Sequence, residues 1–150
     1  MKRTILVFFL SILPLVWISA RGVTANGDWN VTVNEFNLTG GAGTGLTGTY
    51  TSAAAQTTLT VWGVGNWNWR IDIYKVDNTW SPAFTLYARR TSGTASGGTT
   101  YQVVTDVSQP FFTGSNPQSG LGIQYRLQGV SLAVPVNSYS VTVYYTMTQL

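Results

Sequence analysis

The side chains able to do chemistry are few, and two kinds are missing. The 150-residue chain has no histidine and no cysteine, with 5 carboxylates against 8 cationic residues. Acyl transfer by a serine or cysteine nucleophile normally draws on a histidine base. Here the one remaining base after residue 25 is Lys75, which stands beside a predicted turn. Glycoside hydrolysis needs two carboxyls flanking a bond. Asp72 and Asp106 are the pair that neighbouring strands could bring together, but solvated pairing with Arg70 or Arg126 accounts for them more simply. Zinc lacks its preferred ligands. Asp77-Asn78 could offer a weak loop site to calcium, although an ordinary Asx turn explains the same two residues. The expectation is a protein that is not an enzyme and carries no metal and no cofactor.

The N-terminus predicts export. Lys2 and Arg3 precede an apolar run over 5–18 that contains Pro14, and small residues follow. This is the three-part pattern of a secretory signal peptide, and the run is short for a membrane span. Residues 1–25 are assigned to the leader, ending at Val23-Thr24-Ala25, with Ile18-Ser19-Ala20 as the competing cleavage site. Beyond it, Arg70, Lys75, Arg89, Arg90 and Arg126 balance Asp28, Glu35, Asp72, Asp77 and Asp106, so there is no basic footprint for nucleic acid.

The elements that must position any site are strands. The chain condenses around 66–75, where Trp67, Trp69, Ile71 and Ile73 alternate with polar residues, predicting a strand with one buried face that takes both tryptophans. Residues 26–38 predict an N-terminal strand, with Trp29, Val31 and Val33 on one face. The phase slips near Asn34-Glu35, as at a β-bulge, before Phe36 and Leu38. Two sequons lie there, at Asn30 and Asn37. Residues 40–48 form a glycine-rich linker, 76–82 a turn and 92–99 a second flexible loop. Further strands are predicted over 57–64, 84–88 with Phe84, Leu86 and Ala88 inward, and 100–106 with Tyr101 and Val103 inward. Phe111 and Phe112 should cap the core from a loop or short edge strand, and 121–127 and 139–148 should be strands. Arg89-Arg90 points to opposite faces and protects an edge or strand end. About seven strands at this spacing predict one all-β domain over 26–150. The predicted type is an antiparallel immunoglobulin-like or jelly-roll β-sandwich, with a small closed barrel as the alternative.

The closing run from Tyr139 to Thr148, Tyr-Ser-Val-Thr-Val-Tyr-Tyr-Thr-Met-Thr, resembles the last strand of small exported bacterial β-sandwiches, including spore-coat-U-like and pilin-like surface proteins. The order of leader, N-terminal strand, glycine-rich break and sandwich is similar to that of fibre-forming subunits. The resemblance covers about ten residues closely. It implies an exported structural surface protein that associates with itself or with other surface proteins.

Two functions from different classes follow. In the first, the segment carrying Trp29, Val31, Val33, Phe36 and Leu38 is exchanged between copies, adding a strand to the next molecule. In the second, Tyr74, Trp80, Tyr87 and Tyr144 lie outside the inferred core and stack on a polysaccharide. With neither histidine nor cysteine, no unperturbed side-chain pKa lies near neutrality. Denaturation midpoints should therefore stay nearly constant between about pH 6 and 8. A steep change in that window would reveal a strongly shifted carboxyl and reopen catalysis.

Overall fold

The computed structural model describes residues 21–40 and 44–150. Among these the protein is all-β, with nine strands running antiparallel in two sheets and no α-helix. In chain order the strands are β1 (Gly22–Asn26), β2 (Thr49–Thr51), β3 (Thr57–Trp62), β4 (Asn68–Thr79), β5 (Thr85–Arg90), β6 (Gln102–Val103), β7 (Gln109–Ser115), β8 (Gln118–Gln128) and β9 (Ser140–Gln149). The larger sheet has the order β1-β3-β8-β5-β6, with β2 also pairing β8, and the smaller has the order β7-β4-β9.

Each sheet is built on one long central strand. In β4 the alternation of Trp69, Ile71 and Ile73 buries all three completely. Ile71 faces Phe112 of β7 on one side and Met147 of β9 on the other. In β8, Leu121, Ile123 and Tyr125 are buried while β3, β2 and β5 pair along its edges. The core joins these residues to Leu59, Val61, Leu86, Ala88, Phe111 and Phe112, with Val141, Val143, Tyr145 and Met147 of β9 half-buried against it.

The Trp69 indole needs space that glycine provides. Its ring lies against Gly114 of β7, where an added Cβ would come within 2.3 Å of the ring. Its Nε1 donates to the Asn116 carbonyl at 2.8 Å. Asn116 takes the left-handed conformation (φ 57°) in the turn between β7 and β8, which asparagine tolerates better than most residues.

Hydroxyls link the two sheets. Tyr145 of β9 meets Tyr125 of β8 at 2.8 Å, Tyr125 donates to Thr57 Oγ1 at 2.9 Å, and Thr57 donates to the Gly27 carbonyl at 3.0 Å. Because Tyr125 gives its proton to Thr57, Tyr145 is the donor in the first link. Burial raises the pKa of both phenols, that of Tyr145 well above the ordinary 10.0.

Several expectations are corrected. Residues 27–34 pair with no strand, and Glu35–Asn37 form a 3-10 turn capped by Asn34, whose side chain accepts from the Phe36 amide. The slip at Asn34-Glu35 therefore marks a turn and not a bulge. Leu38 bridges Leu46, closing the described part of the glycine-rich segment. The strand at this end is β1, paired in full register with β3. It includes 22–25 of the proposed leader, whose residues 1–20 lie outside the described residues. Trp67 precedes β4 and is 47% exposed, so only one of the two tryptophans enters the core. Asp77-Asn78 makes no turn, because β4 runs on to Thr79 opposite β9, and the bend comes at Ser81, whose carbonyl accepts from the Phe84 amide. Val104 is buried while Val103 is exposed, and Phe84 is only half-buried just ahead of β5. Phe111 and Phe112 do occupy an edge strand, β7.

Replacing Trp69 by Ala should cost roughly 3–5 kcal/mol, as for other large-to-small changes in a core. Trp67→Ala removes a half-exposed ring under the Arg21 guanidinium and should cost only about 1 kcal/mol. Urea denaturation of both variants checks the difference, and equal costs would contradict it. At alkaline pH the unfolded chain ionises its tyrosines first, near pH 10. Stability should therefore be full below about pH 10 and fall as pH rises through the elevated folded pKa of Tyr145. Tyr145→Phe should flatten that decline in a pH series of melting curves, with Tyr125 leaving a residual slope.

Candidate functional site

Three surfaces collect the residues that sequence reasoning singled out, and one feature of β9 was missed. The first surface is the unpaired segment after β1. Trp29 stacks on Tyr125, with centroids 6.2 Å apart and planes at 11°, and is half-buried. Val31 and Val33 are exposed, and Phe36 is 87% exposed at the 3-10 turn. The five candidate exchange residues thus lie on one stretch of chain, although only Trp29 reaches the core. At the sequons, Asn30 is exposed, whereas the Asn37 side chain accepts from the Asn34 amide.

The second surface is the outer face of the smaller sheet. Tyr74 and Tyr144 are cross-strand partners whose rings stack at 5.1 Å and 12°. Each covers one face of the other. Beside them Asp72 is buried, held bidentately by Arg70 at 2.7 and 3.1 Å and by the Thr148 hydroxyl at 3.3 Å. Both oxygens of Asp72 are thus engaged, and Asp106 is exposed in the loop after β6. Trp80 packs elsewhere, edge-on to Phe84 at 5.3 Å, with the Lys75 ammonium 5.4 Å from its ring centre. Lys75 itself pairs with Asp77. Among the described residues no group of three or more metal-ligating side chains is found.

The third surface is the outer face of the larger sheet. Tyr87, Arg89, Gln124 and Arg126 project there, opposite to buried Leu86, Ala88, Ile123 and Tyr125. Tyr101 lies over this cluster and not inward as its parity predicts: Arg126 is 4.1 Å and Arg89 4.8 Å from its ring centre. Arg126 is also 4.6 Å from the Tyr87 ring centre. Gln124 Oε1 accepts from Arg89 Nε at 2.8 Å and from the Tyr101 hydroxyl at 3.1 Å.

Arg90 does not protect an edge. It is 8% exposed, and its guanidinium donates to the carbonyls of Ser92, Gly93, Ala95 and Gly97 at 2.6–3.1 Å. The loop over 92–99 is wrapped around this cation. Nothing in the sequence marks Arg90 as buried, since its neighbour Arg89 has the same composition around it and faces outward.

The missed feature is the outer edge of β9. Leu150 N donates to Asn68 O at the end of the β4–β9 ladder. In an antiparallel pair this sets the phase: Thr142, Tyr144, Thr146 and Thr148 exchange bonds with β4, while Val141, Val143, Tyr145 and Met147 turn their N–H and C=O groups outward. No other described strand pairs with that edge. Beside it a shallow groove of about 520 Å³ runs between Arg21–Val23 and Tyr145–Gln149. The ten residues of β9 include no charged residue and no proline, the usual protections of an edge. Sequence alternation located this strand, but which strand pairs with which is a tertiary fact that alternation leaves open.

No protein-family model matches the chain, and no curated protein or solved structure resembles it at a significant level.

Proposed function

We propose that this chain is an exported structural surface protein, an immunoglobulin-like β-sandwich without catalytic activity. Its copies assemble head to tail by strand addition into a fibre or matrix. The observation that carries this reading is the open, uncharged edge of β9 in a sheet of only three strands. Such an edge is a template for another strand. The same chain holds a matching donor, the segment with Val31 and Val33 alternating, unpaired and exposed. A fourth strand on β9 would cover Val141, Val143, Tyr145 and Met147, which are now half-buried. Donor and acceptor on one subunit make the contact heterologous, and a heterologous contact that does not close propagates as a filament. The leader-like N-terminus and the absence of cysteine agree with a surface protein that depends on sheet hydrogen bonds.

Donor and acceptor can be disabled separately. Val143→Pro removes one outward N–H and leaves the bonds to β4 intact, so it should block the acceptor without unfolding the protein. Val31→Asp with Val33→Asp should disable the donor. Each protein alone should stay monomeric by sedimentation, under conditions where the wild type forms filaments visible by electron microscopy. Mixed together, they should form pairs but no filaments, since one intact donor meets one intact acceptor. Wild-type protein that is monomeric at every concentration tested would overturn the reading. Filaments that survive the Val31/Val33 change would do the same for the donor assignment.

A further inference from the structure

The Arg126 guanidinium is held in place by aromatic rings and is hydrogen-bonded to no described protein group. One ring lies at 4.6 Å (Tyr87) and another at 4.1 Å (Tyr101). Its Nε is shut off from solvent with no hydrogen-bond partner, and no described protein acceptor bonds its Nη groups. Arg89, diagonally across the β5–β8 ladder, uses Nε on Gln124 and leaves its own Nη groups without a protein acceptor. The ion pairs among the described residues are Arg70–Asp72 and Lys75–Asp77, so neither arginine has a carboxylate. Aromatic rings compensate the flat face of a guanidinium, whereas its edge N–H groups call for an oxygen acceptor. Two such cations against one ring, neither paired with a carboxylate, are suited to receive oxyanions.

The surroundings indicate what carries the oxyanion. Read across the outer face by register, Thr51, Arg126 and Tyr87 form one row, and Thr49, Gln128 and Thr85 the next. Hydroxyls and an amide therefore continue the surface directly beside the cations, with no acidic residue among them. We propose that Arg126 and Arg89, braced by Tyr87, Tyr101 and Gln124, bind the carboxylates of an acidic polysaccharide, a polyuronate, along the outer face of the larger sheet. A carboxylate suits the planar fork of arginine, and the sugar hydroxyls find the threonine and glutamine side chains. This site is on the opposite sheet from the β9 edge and does not rest on strand addition.

Isothermal titration of the protein with polygalacturonate at low salt, with dextran as the neutral polymer and galacturonate as the monomer, tests the site. Polygalacturonate should bind and dextran should not. Added salt should weaken the binding, as expected for partly exposed charges. Arg126→Gln should reduce affinity at least tenfold, and Arg89→Gln should also reduce it. Lys75→Gln, which removes a cation on the smaller sheet, should leave it within twofold. Melting curves accompany each variant, and Arg89→Gln decides the matter if Arg126→Gln fails to fold. The proposal is overturned if polygalacturonate binds no better than dextran, or if the folded Arg126 and Arg89 variants keep wild-type affinity. Equal affinity per carboxylate for polymer and monomer would overturn the polysaccharide assignment.

Discussion

Trp69 sits where the two halves of the smaller sheet and the turn into the larger one meet, and most of the architecture is arranged to accommodate it. Its indole is fully buried between strands that pair on both sides of β4. A ring of that size can lie flat against a neighbouring strand only where the strand offers no side chain, which is the place Gly114 fills. Phe112 meets it edge-on at 6.2 Å, the arrangement in which the ring quadrupoles attract. The one polar atom it buries is satisfied by Asn116, in the left-handed turn that sends the chain from β7 into β8. A single side chain thereby ties the smaller sheet to the connection that starts the central strand of the larger one. Removing it would leave a cavity, a glycine without purpose and an unpaired carbonyl together.

The two-residue period explains what was legible in the sequence. Where a strand has one apolar and one polar face, as in β4 and β9, side-chain parity places the apolar residues on the core side, although Asp72 on the outer face of β4 is buried as well. Ile71, Ile73, Val143 and Tyr145 fall on the side expected. The period fails where it extends past the pairing. Trp67 keeps the parity of Trp69 but lies before the first paired residue of β4 and turns into solvent beneath Arg21. Val31 and Val33 keep the parity of Trp29 but find no partner strand, because β1 has already taken the free edge of β3. Alternation describes a capacity for strand formation, and tertiary pairing decides which capable segments use it. Asp77-Asn78 errs in the other direction: a strong local turn signal is overridden by ladder pairing of Asp77 and Thr79 with β9, with Asn78 at the register shift between them and its side chain donating to the Thr142 hydroxyl at 2.9 Å.

The candidate sites were less legible than the fold, for a reason that lies in their construction. The β9 edge is defined by hydrogen bonds that are absent, and the arginine cluster by residues brought together from β5, β8 and the segment before β6. Neither has a linear motif. Parity places Tyr74, Tyr87 and Tyr144 outside the core, yet it does not tell that Tyr74 and Tyr144 become cross-strand partners whose rings cover each other. Tyr101 was assigned inward because the period was carried through a segment where only Gln102 and Val103 are paired. Its ring is free to fold back over β5 and β8 for that reason.

How the arginines are compensated separates the structural ones from those available to a ligand. A guanidinium taken out of water must recover its lost solvation from acceptors, from an opposite charge or from aromatic faces. Arg70 recovers it from Asp72, and Arg90 from four backbone carbonyls of the loop it organises. In both, the hydrogen-bonding edge is occupied by the protein, so the cation is committed to the fold. Among described protein groups, Arg89 is compensated by Gln124 and a ring, and Arg126 by rings alone. Ring contacts fix position but consume no N–H, so stacking delivers what ligand recognition requires: a charge that is immobile and still unpaired. Had Arg126 served only to stiffen the sheet, a carboxylate on the facing strand would have done so with less exposed demand. The register sets Tyr87 opposite it instead.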